Sequence, residues 1–115
     1  MIKTIPFLTV MVLLTGCFWT RSVELADVTR TETVILRKMP GQGPVHSLSI
    51  RGSGTIQGHA EITLILNDAS YKMEELSGQV DFQWGGDWDS DEAEIRYKPT
   101  SVTSGSLKLR YKFND

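Results

Sequence analysis

The chain has one cysteine in 115 residues, two histidines and four prolines. A single thiol cannot close a disulfide within the chain, so stability rests on an apolar core. His46, His59 and one cysteine cannot supply the usual four-ligand zinc sets. Basic residues are not in excess: 12 Lys and Arg stand against 14 Asp and Glu, a formal net charge of −2. That balance argues against a nucleic-acid partner, which calls for a cationic face. Helical periodicity is absent, and no apolar run reaches the ~20 residues needed to span a bilayer.

The cysteine that is present has a telling position. The N-terminus reads MIKTIPFLTVMVLLTGC, with Lys3 ahead of an apolar run from Ile5 to Leu14 that Pro6 and Thr9 interrupt. That run has the ~7–15 residue length of a secretory signal peptide. Leu14-Thr15-Gly16-Cys17 resembles the lipobox of bacterial lipoproteins, a likeness confined to residues 1–17. It implies cleavage after Gly16, a diacylglyceryl group on the Cys17 sulfur and an acylated N-terminus. Two or three acyl chains, at about 0.8 kcal/mol per buried methylene, give durable attachment to a membrane. By the same resemblance, Phe18 after the cysteine favours the outer membrane of a Gram-negative host. Removal of residues 1–16 takes Lys3 with it and leaves 99 residues, 11 basic against 14 acidic. The expected organisation is a signal peptide over 1–16, lipidated Cys17 and a short tether over 17–28, and one β domain over 29–115.

From Thr29 the pattern has period two, the mark of half-buried strands. Val34 and Leu36 alternate with polar neighbours, and Met39 to Pro44 breaks the run. Every even position from Leu48 to Leu66 is apolar or glycine. That unbroken parity predicts one long strand bent at glycines, or a three-residue turn pairing Ile56 with Ala60. Asn67 to Ser70 is turn chemistry. Tyr71 and Met73 start the next strand, where Leu76, Val80, Phe82 and Trp84 share one face. Ala93, Ile95 and Tyr97 alternate, Pro99 to Gly105 reads as a polar loop, and Leu107 to Phe113 alternate again. The last two runs suit an antiparallel pair with Ile95 opposite Leu107, Glu94 opposite Lys108 and Glu92 opposite Arg110. The expected fold is all-β: a small antiparallel β-sandwich or squat barrel of about six to eight strands.

One stretch stands apart: QWGGDWDSDE, Gln83 to Glu92. Trp84 continues the inward parity and reads as core. Asp87, Asp89 and Asp91 place oxygen ligands at alternate positions, which suggests a loose calcium site. An EF-hand fails, because Glu92 stands where glycine is needed and Lys98 where a bidentate glutamate is needed. Trp88, beyond the double glycine, either folds back over the sheet edge or forms a binding surface with Asp87, Asp89, Asp91 and Glu92.

For catalysis, His59 shares a face with Glu61, but neither a nucleophile elbow nor an HExxH motif accompanies them. The chain reads as a non-enzyme without a cofactor. The expected function is a lipid-anchored envelope binding module that engages a protein partner, of inhibitor or immunity type. Two other readings stand beside it: a structural envelope lipoprotein assembling through strand edges such as Thr29 to Lys38, and a carbohydrate-binding module.

Overall fold

The structure is a computed structural model that describes residues 20–115. The leader, the lipobox and Cys17 lie outside the described residues. Five strands account for the fold: β1 (Arg21–Glu24), β2 (Glu32–Arg37), β3 (Ser47–Leu66), β4 (Ala69–Asp87) and β5 (Glu92–Asn114). All pairings are antiparallel. β3 is central, with β4 along one side and β5 along the other, while β1 and β2 occupy successive stretches of the outer side of β5.

The long even-parity run does fold as the single strand β3. Its alternation places Leu48, Ile50, Ile56, Ala60, Ile62 and Leu64 in the core. The ladder to β4 shifts register between Ile56 and Ala60, and the ladder to β5 shifts between Gln57 and Gly58 and again after His59. Register shifts of this kind bend strands, so all three long strands turn one corner together. Glycine is required there. Gly58 has φ +123°, and a Cβ on it would overlap the backbone carbonyl of Ser101.

The corner divides the sheet into two layers. Layer one holds β1 and the limbs 47–56, 78–87 and 105–114. Layer two holds β2 and the limbs 60–66, 69–76 and 92–99. The layers face each other across one core, as expected of a β-sandwich. Leu48 and Ile50 of layer one line the same small cavity as Leu64 of layer two. Arg21 of β1 donates from Nη1 to the carbonyl of Arg37 at the end of β2. The tip of the β3–β4 hairpin is the two-residue turn Asn67-Asp68, with φ of 53° and 61°. Two consecutive positive φ values give the turn whose twist matches the flanking strands.

Three expectations are corrected. First, Arg21–Glu24 is not tether but strand, paired with Tyr111 to Lys108, and Leu25 and Val28 beyond it are buried. The folded domain therefore begins ahead of Thr29. Second, Pro99 to Gly105 is not a loop but the middle of β5, carried around the corner beside β3. Pro99, opposite Ala60, sits at a register shift of the ladder, the kind of place where strands accept proline. Third, Ile95 does not face Leu107. A central strand of 20 residues must pair along its whole length on both sides, so both runs of β5 lie beside β3. Glu92 then faces Arg37 and Glu94 faces Ile35, while Lys108 faces Glu24 and Arg110 faces Ser22.

Candidate functional site

The stretch Asp87 to Glu92 takes the chain from β4 in layer one to β5 in layer two, closing the end of the sandwich opposite the corner. Trp88 is the residue that fills that end. It is 6% exposed and belongs to the core cluster. Its backbone N–H donates to the carbonyl of His46 at 3.1 Å. The indole Nε1 donates to the carbonyl of Glu92 at 2.9 Å, so the ring's one polar atom is satisfied inside its own loop. Trp88 is thus the fold-back case, and its ring offers no face to a ligand.

The acids are placed differently from the binding cluster expected of them. Asp91 pairs with Lys38 Nζ at 3.2 Å and Glu92 with Arg37 Nε at 3.0 Å. Lys38 also donates its backbone N–H to the carbonyl of Asp91 at 3.0 Å. These contacts fasten the loop to the exit of β2. Asp87 and Asp89 are exposed to solvent. Among the described residues no three of His, Cys, Asp and Glu come together as a metal ion would require. The calcium reading of Asp87, Asp89 and Asp91 is therefore not supported. Asp91 is already engaged by the Lys38 ammonium, which occupies the place a cation would take beside it.

A second crossover, from Lys38 to His46, runs beside this loop. Gln42 is buried there, donating from Nε2 to the Phe113 carbonyl at 2.6 Å and accepting from the Met39 N–H at 2.9 Å. The Asp115 carboxylate accepts the Gly43 N–H at 2.7 Å, and that bond holds its carboxyl below the usual carboxylate range. Burial pushes the Tyr97 phenol up, and its hydroxyl donates to the Val28 carbonyl at 2.7 Å. These groups hold the ends of the molecule together.

Two surfaces that sequence reasoning passed over remain open. One is the outer edge of β4. Its 19 residues pair with β3 on one side only, and among the described residues nothing pairs with the other. Near its start Tyr71 and Met73 are 44% and 52% exposed. The Tyr71 ring centroid lies 6.3 Å from that of Trp88, with Lys72 Nζ 5.4 Å from the tyrosine ring. Tyr71 is the extra residue of an irregularity, since Leu64 pairs with Lys72 and Ile65 with Ser70. An added residue of that kind re-aims a side chain, and no period-two pattern announces it.

The other surface is the outer face of layer one. Arg51 of β3 stands between Gln83 of β4 and Arg110 of β5, and Lys108 and Lys112 flank Arg110. The basic stripe of β5 is thus not neutralised by Glu92 and Glu94, which belong to layer two. An open depression of ≈ 200 Å³ lies among Thr20, Ser49, Arg51, Gln83, Arg110 and Lys112.

No family model matches the chain, and no curated protein matches it. Solved structures similar to it include "Carbohydrate-Binding Module CBM36 in complex with calcium and xylotriose". The two are 14% identical with a TM-score of 0.39, over 84% of this chain and 88% of that one. That likeness is too distant to transfer a ligand or a residue's role.

Proposed function

We propose that this chain is a non-enzymatic, lipid-anchored binding module of the cell envelope. In this reading acylated Cys17 holds it to the membrane (the outer membrane in a Gram-negative host), and a protein partner docks on the free edge of β4. The observation that carries the reading is that edge: 19 residues of strand with one side unpaired and exposed Tyr71 near one end. Strand addition supplies main-chain hydrogen bonds for affinity, while neighbouring side-chain positions give specificity. A partly exposed tyrosine is a favoured anchor for such contacts. Placement supports the same reading. In layer one the order runs β1, β5, β3, β4, so the anchored end and the free edge are three strand spacings apart, about 14 Å. A partner of inhibitor-target or toxin type could then reach the layer-two limb of β4, residues 69–76, without meeting the bilayer.

The test is a photo-crosslinking residue placed in living cells at Tyr71 and, for comparison, at Ile35 on β2. A discrete adduct with a different protein from position 71 is the expected result. Adducts only between copies of this chain, strongest at position 35, would favour the structural lipoprotein that assembles through strand edges. A glycan ligand is the third outcome, read by tryptophan fluorescence on titration, since Trp88 lies beneath Tyr71. Absence of any adduct at position 71 would sink the edge as the site.

A further inference from the structure

We infer that the cationic outer face of layer one seats the anchored protein on anionic lipid headgroups. The inference rests on the acylation of Cys17 proposed above. Arg51 and Arg110 stand directly opposite each other on neighbouring strands, an arrangement that is unfavourable unless negative charge answers it. Asp81 answers Arg51, accepting from Nε at 3.2 Å and from Nη2 at 3.1 Å. Among the described residues no ion pair involves Lys108, Arg110 or Lys112. Lys108 faces Glu24 across β1 and β5, so two cations of this face, Arg110 and Lys112, are left without an internal partner.

The route of the chain brings that face to the bilayer. Thr20 lines the same depression as Arg110 and Lys112. Cys17 is three positions upstream, and an extended chain covers about 3.3–3.6 Å per residue. Acyl chains on Cys17 hold this part of the face within roughly 11 Å of the membrane, which the intervening Phe18 and Trp19 suit as interfacial aromatics. Charge then selects the orientation. The open end presents exposed Asp87, Asp89 and Asp115, which an anionic surface repels. The outer face of layer two mixes Glu61, Glu75 and Glu94 with Arg96 and Lys98, and Arg96 is already paired with Glu94. Of the two outer faces, that of layer one is the one with cations in excess, Arg51, Lys108, Arg110 and Lys112 against Glu24, Asp81 and Asp87. Attraction to phosphate acts over about 8 Å at physiological salt.

The experiment uses the full acylated chain in phosphatidylethanolamine vesicles with or without phosphatidylglycerol. A water-soluble amine reagent reports the exposure of Lys112 in layer one and Lys98 in layer two within the same molecule. Phosphatidylglycerol should slow labelling of Lys112 roughly fivefold, on the scale of the attraction per basic residue at an anionic surface, and leave Lys98 unchanged. High salt or Arg110→Glu should abolish the difference. Equal labelling of Lys112 in both vesicles, or equal slowing of Lys98, overturns the seating while leaving the anchor intact if the intact mass shows acylation. An intact mass with an unmodified thiol overturns both.

Discussion

The two ends of this sandwich are closed in opposite ways. At the corner the backbone itself does the closing: three hydrogen-bonded strands turn together, and Gly58 lies so close to Ser101 that no side chain fits. At the open end the strands stop, and side chains from two crossovers fill the gap. Trp88 supplies the bulk, Gln42 supplies the buried hydrogen bonds, and Asp115 and Lys38 fasten the rim. The corner constrains the fold by what must be absent, the open end by what must be present. The two ends should therefore fail differently under mutation.

The largest effect is expected at the corner. Gly58→Ala combines a φ of +123° with overlap on the Ser101 carbonyl, and should cost more than about 4 kcal/mol, enough to prevent folding of a small domain. Circular dichroism and urea titration would read it. At the open end Trp88→Ala should cost about 3–5 kcal/mol by leaving a cavity, while the domain still folds at low temperature. An unchanged urea midpoint would show that the ring does not carry the closure. Gln42→Ala should cost about 1–3 kcal/mol, because the Phe113 carbonyl and the Met39 N–H lose their buried partner. Asp89→Ala touches none of these contacts and should stay within about 0.5 kcal/mol.

The smallest expected effect is on pH dependence. The Asp115 carboxyl is held low by the Gly43 N–H, so the ionised form stabilises the fold above the unfolded titration range, about pH 3.9. That contribution is lost as pH falls through the lower folded value. Melting curves below about pH 4 should be less steeply pH-dependent in Asp115→Asn than in the parent. Identical slopes would mean the rim bond adds nothing.

Much of the architecture could be read from residue order. The parity of Leu48 to Leu66 fixes which face of β3 is buried, because a slip of one residue would expose Ile50, Ile62 and Leu64 together. Asn67-Asp68 marks its turn by chemistry alone, and Trp84 follows from Val80 and Phe82. Other features depend on distant partners. Pro99 to Gly105 is polar and short of apolar residues, yet β3 supplies its hydrogen bonds, so composition points to a loop where the ladder continues. Arg21–Glu24 is too short to show a period, and becomes a strand only because Lys108 to Tyr111 lies beside it. Trp88 was ambiguous for a related reason. Its polar neighbours suggest solvent, whereas its burial comes from Leu48, Leu64 and Tyr71, far away in sequence. The stray cations of layer one were hidden by pairing the runs of β5 with each other rather than with β3.

The position of β5 has a consequence for biogenesis. Among the described residues this 23-residue strand is the only partner of β1 and of β2, and it completes β3 along its length. Until those residues have been synthesised, the earlier segments can form little beyond the β3–β4 hairpin, and that hairpin alone buries only one side of the core. Such a polypeptide stays open until β5 is available, and then matures in one cooperative step.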